Sequence, residues 1–127
     1  MTMELGPNQT RWLEALESGA YDQARNLLHE PLTNNYCCLG VACSIFLGQP
    51  TERKTDAFGE VRDFWDDEFA VAPPSLQEKL ALRDDSGSRL DYNINLSLTA
   101  MNDEGSTFKK IAATVRAEPE QYFQEPR

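Results

Sequence analysis

Residues 36–48, Tyr-Cys-Cys-Leu-Gly-Val-Ala-Cys-Ser-Ile-Phe-Leu-Gly, carry no charged side chain. A helix that is apolar on every face has no side for solvent, so the rest of the chain must cover it. The stretch therefore predicts a central buried helix over 36–48, capped by polar residues 33–35 and ended by Gly48. Gly40 costs roughly 1 kcal/mol relative to alanine inside a helix, so we expect another backbone to lie close to it.

Two helices are predicted before this central helix. Trp12, Leu13 and Leu16 form one apolar stripe at helical spacing. A second helix is predicted over 21–29, because its apolar residues share a face and a proline follows. The residues in front of the first helix, 1–8, are expected to form a flexible arm.

Both helix and strand patterns follow the central helix. Prolines 73–74 suit the first turn of a helix, and residues 98–101 suit one short helical turn. Apolar residues at i, i+3, i+4 and i+7 over 108–115 predict a C-terminal helix. Residues 55–72 and 89–96 alternate between apolar and polar side chains, which predicts a small antiparallel sheet.

Together these patterns predict a mostly helical α+β fold in a single globular domain over 9–123, followed by a disordered tail over 124–127. The chain has 127 residues, a length typical of one domain. It carries 21 acidic and 12 basic side chains, a formal charge of −9, which disfavours coating of nucleic acid. With no targeting signal and no apolar run long enough for a bilayer, we expect a cytoplasmic protein that does not enter membranes.

All three cysteines, Cys37, Cys38 and Cys43, lie in the central apolar stretch. Adjacent residues on a helix point in different directions, so these thiols are not expected to share a metal ion, and no cofactor is expected. Cys37 with His29 as its base could form a thiolate nucleophile. The alternative is that the thiols are small buried apolar groups.

Two sequence runs resemble those of small proteins from tailed bacteriophages and bacterial prophage regions. The runs are Tyr36-Cys-Cys-Leu-Gly-Val-Ala-Cys43 and Met101-Asn-Asp-x-Gly105, the second followed by Phe108 and Ile111-Ala112. The similarity extends over nearly the whole chain. The resemblance implies a phage or prophage accessory protein in the cytoplasm of a bacterial host. It implies no catalytic residues.

A ligand site is predicted from aromatic and basic side chains and from one turn. Aromatic faces can stack bases, and guanidinium groups can hold phosphates. The turn over 102–105 presents backbone N–H groups where a helix begins, an arrangement that attracts anions. Core packing of the aromatics and a plain capped turn are the alternative interpretations. The predicted ligand-binding residues are Arg53, Lys54, Phe58, Arg62, Trp65, Arg89, Tyr92, Asn102, Asp103, Gly105, Ser106 and Lys109.

Three function hypotheses follow. The first is a non-enzymatic counter-defence protein that sequesters a small nucleotide-derived immune signal, with a homo-oligomer expected because such ligands often bind at subunit contacts. The second is an acidic inhibitor of a basic host protein that imitates nucleic acid through residues 63–68. The third is a small hydrolase that uses Cys37 and His29 or paired carboxylates.

Overall fold

The computed structural model describes residues 3–127, so the first two residues of the predicted arm lie outside the described part. The chain folds into a mostly helical α+β structure with two small antiparallel sheets. The helices are α1 (Pro7–Glu17), α2 (Cys38–Phe46), α3 (Pro74–Leu80), α4 (Leu98–Asp103), α5 (Phe108–Ala117) and α6 (Pro119–Tyr122). The strands are β1 (His29–Glu30), β2 (Asn35–Tyr36), β3 (Glu52–Thr55) and β4 (Val61–Phe64).

Helix α2 is the centre of the core, as its sequence predicts. Residues 38–43 are all buried, and helices α1, α3 and α4 pack around them. The helix is shorter than predicted, because Tyr36 belongs to β2 and the Cys37 Sγ accepts the Gly40 N–H at 3.3 Å as the N-cap. The expected close backbone is present: a Cβ on Gly40 would lie 1.7 Å from the Leu28 carbonyl oxygen.

Helices α1 and α5 bury the apolar stripes that the sequence predicts. Trp12, Leu13 and Leu16 of α1 are buried, and the Trp12 indole N–H donates to the Cys38 carbonyl at 2.9 Å. Helix α5 buries its predicted stripe against α1 and α4. The helix expected after prolines 73–74 is α3, and the predicted helical turn at 98–101 lies in α4.

The predicted helix over 21–29 is wrong, because this segment is an irregular connection that ends in β1. Its backbone N–H groups donate to distant segments instead of forming a helical ladder: Ala24 donates to Tyr36, and Leu28 donates to Phe69, each at 2.8 Å. Asn26 has φ of 64°, a left-handed value that interrupts a helix. The apolar spacing in this segment therefore reflects burial without helical structure.

The predicted sheet is correct in part. Strand β4 lies in the predicted region 55–72, but its hairpin partner β3 lies earlier than predicted, at Glu52–Thr55. In this hairpin Arg53 faces Asp63 and Lys54 faces Arg62. The predicted strand over 89–96 is wrong, because it is a loop with a short 3-10 turn at 94–96. Tyr92 has φ of 62°, and the side chains of Leu90, Tyr92 and Ile94 are exposed to solvent, while Leu96 packs against the core.

The two chain ends pack on the domain in the described part of the chain. Pro7 and Asn8, assigned above to the arm, belong to α1. In the 124–127 segment, the Gln124 N–H donates to the Ala81 carbonyl at 2.8 Å, and the Glu125 carbonyl accepts from the Gln9 amide at 2.7 Å. Within residues 3–127, no helix has the length and apolar character required to cross a membrane.

Candidate functional site

A cavity of about 370 Å³ opens between α2, the β3–β4 hairpin and the turn that joins β1 to β2. Its lining is mainly polar, with aromatic rings on one part of the wall. Most small-molecule sites have a more apolar lining, in which a few polar groups fix the orientation of the ligand, so this cavity suits only a polar ligand. The lining residues are His29, Pro31, Asn34, Tyr36, Ser44, Gly48, Gln49, Pro50, Arg53, Asp63 and Trp65.

Asp63 is the polar centre of this wall and is only 1% exposed. Its Oδ1 accepts from Arg53 Nε at 2.6 Å, and its Oδ2 accepts from the second Arg53 nitrogen at 3.1 Å and contacts His29 Nδ1 at 2.7 Å. The hydrogen bonds from Arg53 hold the pKa of Asp63 below its usual range; burial opposes this shift and His29 adds to it. The carboxylate therefore stays ionised and its oxygens are occupied by protein donors.

His29 connects this ion pair to the cavity mouth. The side chain is buried, and its ring lies 4.5 Å from the Tyr36 ring, centroid to centroid. Its second nitrogen, Nε2, lies 2.9 Å from the side-chain oxygen of Asn34, an exposed residue in the β1–β2 turn. The sequence suggested His29 as a base for Cys37, Asp63 as part of an acidic run and Asn34 as a capping residue. It did not predict that the three side chains meet, because a contact between residues 34 apart, such as His29 with Asp63, is set by the fold.

The hairpin divides the predicted basic and aromatic residues between two faces. Side chains alternate along a strand, so Arg53 and Trp65 face the cavity while Lys54 and Arg62 lie on the opposite face. Lys54 stacks on Phe64 at 5.0 Å, and Arg62 forms an ion pair with Asp56 at 2.8 Å and stacks on Phe69 at 5.1 Å. Of the predicted ligand residues, only Arg53 and Trp65 line the cavity.

Phe58, Arg89 and Tyr92 lie elsewhere. Phe58 is at the hairpin tip and 92% exposed. Arg89 is buried; it forms ion pairs with Asp91 and Glu118 and donates to the Tyr122 hydroxyl. The hydrogen bond to Asp91 is the main cause of its raised pKa. Tyr92 is exposed beside it. These contacts make Arg89 a structural clamp between the 89–96 loop and the C-terminal segment.

The turn at 102–105 joins three parts of the fold. Asn102 is 1% exposed; its Oδ1 accepts from the Cys38 N–H at 3.0 Å and from the Gln23 amide at 2.9 Å, and its Nδ2 donates to the Ala24 carbonyl at 2.8 Å. Asp103 accepts the Asn26 N–H at 2.8 Å. The amide of Asn102 is thus fully used within the protein.

The rest of this predicted group completes the same turn or faces solvent. Gly105 has φ of 95°, a left-handed value that favours glycine. The Ser106 carbonyl accepts from Gln23 at 2.7 Å, and the Lys109 side chain is exposed on α5. The turn lies outside the cavity lining, so the predicted residues do not form one continuous site.

The thiols are buried and are not placed for nucleophilic chemistry. Desolvation raises the pKa of Cys37 to about 12, and it raises the pKa of Cys38 and of Cys43 as well. Both ring nitrogens of His29 contact other side chains, Asp63 and Asn34. Among residues 3–127, no group of three histidine, cysteine or acidic side chains is arranged to hold a metal ion.

The acidic run at 63–68 does not form one exposed surface. Asp63 and Trp65 are buried, while Asp66 and Asp67 occupy a tight turn at φ of 49° and 70° and are exposed. Trp65 donates its indole N–H to the Gly48 carbonyl at 3.2 Å, which fixes the ring in the cavity wall. Of the two aromatic residues in this run, Trp65 is therefore part of the core, and Phe64 is half-buried.

Residues 7–119 match the model of a family described as a domain of unknown function (DUF8296). The match covers most of the chain, and the chain belongs to this family. No curated protein and no solved structure matches the chain.

Proposed function

We propose that the chain is a non-enzymatic binding protein that holds a small nucleotide-derived ligand in the cavity between α2 and the β3–β4 hairpin. The observation that carries the proposal is the polar cavity of about 370 Å³, with the Trp65 ring in its wall and the Arg53 guanidinium at its side. Together with the resemblance to phage proteins, this favours sequestration of an immune signal in the cytoplasm of a bacterial host.

The cavity volume limits the ligand. Small-molecule pockets range over roughly 300–1,000 Å³, so this cavity belongs to the small end. A mononucleotide-sized group is a better fit than a whole cyclic oligonucleotide. A larger signal would extend through the mouth, where a second copy of the chain could cover the remainder.

Binding without chemistry is favoured because the lining holds no assembled set of nucleophile, base and orienting group. The thiols are buried with raised pKa values, and the carboxylate of Asp63 is occupied by Arg53 and His29. A binding protein releases its ligand unchanged. Mass spectrometry of the ligand recovered after denaturation therefore separates this function from a hydrolase.

The test is calorimetric titration of the folded protein with AMP, ADP-ribose and cyclic dinucleotides. We expect at least one probe to bind, and Arg53→Gln to weaken it by about tenfold or more, the value of a hydrogen bond to a charged group. Arg62→Gln is the matched control, because Arg62 belongs to the same hairpin but lies on the opposite face. Equal losses in both variants, or no binding by any probe to folded protein, would refute the proposal.

A further inference from the structure

We infer that Arg53 and His29 form a subsite for a phosphate-type oxyanion, and that Asn34 covers this subsite until the anion takes its place. The inference rests on the proposed function, because it specifies which group of the ligand the cavity recognises. It concerns the corner of the cavity where the hairpin meets the β1–β2 turn.

The groups that a ligand can reach at this corner are hydrogen-bond donors. Both oxygens of Asp63 accept hydrogen bonds from the protein and the residue is 1% exposed, so its oxygens are not open to a ligand, and Arg53 balances its charge. Arg53 uses Nε and one terminal nitrogen for Asp63, and its side chain is 61% exposed. The other terminal nitrogen is free of protein partners among the hydrogen bonds of this corner, and a guanidinium fork suits phosphate oxygens.

His29 supplies the second donor. The ionised carboxylate of Asp63 can only accept a hydrogen bond, so the Nδ1 atom of His29 that contacts it carries a proton. Two arrangements then satisfy the 2.9 Å contact between Nε2 and the Asn34 amide. In one, a neutral ring accepts from the amide NH₂; in the other, an imidazolium donates to the amide oxygen. An anion at Nε2 is compatible only with the second proton state, so anion binding selects the imidazolium.

The side chain of Asn34 is placed where it can move away from His29 Nε2. It is exposed, it has φ of 59° in a four-residue turn, and its side chain contacts His29 from the surface side. The other groups that face His29 stay in place: Asp63 on β4, Tyr36 on β2 and Trp65 after β4, with Arg53 on β3 bound to the same carboxylate. The ionisable neighbours thus add one negative and one positive charge, and the imidazolium makes the subsite net positive.

The protein contains one histidine, so its imidazole nitrogen signals in NMR report the subsite without assignment. Sodium sulfate is the probe, because it is a tetrahedral dianion that does not titrate near neutral pH; sodium chloride at the same ionic strength controls for screening. We expect sulfate to shift both nitrogens towards the imidazolium pattern, because an anion at Nε2 requires a proton on that nitrogen. An unchanged histidine signal would overturn the inference.

Variants test the role of Asn34 by the direction of their effect. Asn34→Gly removes the competing amide and suits the left-handed backbone, so we expect sulfate to bind about threefold to tenfold more tightly, the equivalent of one ordinary hydrogen bond. Asn26→Gly is the matched control, since Asn26 is also exposed at positive φ but lies outside the cavity lining. Weaker or unchanged binding in Asn34→Gly would overturn the covering role.

The outcomes separate this inference from the proposed function. Nucleotide binding without a response of His29 would leave the cavity as the binding site and refute the oxyanion subsite. A response of His29 to sulfate without any nucleotide binding would support the subsite and refute the nucleotide ligand. His29→Gln should weaken sulfate binding by about tenfold. If His29→Gln does not fold, Asn34→Gly gives an independent readout.

Discussion

Gly40 offers a test in which helix propensity and tertiary packing predict opposite signs. Alanine is favoured over glycine by about 1 kcal/mol in a helix interior, so propensity alone predicts that Gly40→Ala stabilises the protein. In the fold, the new Cβ would lie 1.7 Å from the Leu28 carbonyl oxygen, whereas real contacts are essentially never closer than 3.0 Å. The two backbones must therefore separate by at least 1.3 Å, the difference between these distances.

The separation has two costs. Forcing a methyl group into a packed core costs about 1–3 kcal/mol. The movement also strains the hydrogen bond of 3.2 Å from the Cys37 N–H to the same carbonyl, which is worth about 1 kcal/mol. After the propensity gain is subtracted, we expect the free energy of unfolding to fall by about 1–3 kcal/mol.

Urea denaturation followed by circular dichroism measures this change. Gly19→Ala is the control, since Gly19 has φ of 77° and open space around it, so its cost comes from backbone strain alone, about 1 kcal/mol. His29 follows Leu28 directly, so only Gly40→Ala should also shift the histidine NMR signal. A Gly40→Ala protein as stable as the parent chain would show that the Leu28 carbonyl does not confine α2.

Further predictions concern charge and thiols. Asp63→Asn should lower the free energy of unfolding at pH 7 by about 1.5–3 kcal/mol, because the charge-assisted bonds to Arg53 and His29 are weakened. Folding lowers the pKa of Asp63, so its contribution to the free energy of unfolding is complete above the unfolded carboxyl pKa of about 3.9 and is lost as the pH falls through the lower folded value. In urea titrations at acid pH, the free energy of unfolding of Asp63→Asn should therefore depend less steeply on pH than that of the parent chain. Arg89→Met should cost about 1–3 kcal/mol in thermal or urea unfolding and leave ligand affinity unchanged, because Arg89 does not line the cavity; reduced affinity at equal folding would contradict its role as a clamp. A thiol reagent should label the cysteines at about pH 8 only as fast as the protein unfolds, because all three are buried with raised pKa values; rapid labelling of native protein would contradict their burial.

The core was predictable because its signals are local. The uncharged stretch before Gly48, the stripe of α1 and the stripe of α5 can each be recognised from neighbouring residues alone. Both stripes and residues 37–43 of the stretch are buried as expected, while residues 44–47 are half-buried. The same local signals gave a wrong helix at 21–29, where Ala24 and Leu28 are buried but their N–H groups donate to Tyr36 of β2 and to Phe69. Hydrophobic spacing reports burial, while the hydrogen-bond partner determines the backbone shape.

The site was less predictable because its contacts are long range. Arg53 and Trp65 were identified by residue type, but their separation from Lys54 and Arg62 depends on the register of the hairpin, which places alternate residues on opposite faces. The loop at 89–96 alternates like a strand, yet Arg89 is buried by ion pairs and Tyr92 adopts a left-handed backbone. No pattern within residues 89–96 distinguishes a strand from the observed loop.

The buried amide of Asn102 has a consequence for how the chain acquires its structure during synthesis. The Cys38 N–H at the start of α2 and the carbonyl of Ala24 both hydrogen-bond the Asn102 side chain, which is synthesised 64 and 78 residues later, respectively. Because ribosomes add about 5–20 residues each second, the central segment spends several seconds without these partners. We therefore expect the nascent chain to keep its cysteine-rich segment exposed to chaperones until α4 has emerged from the exit tunnel.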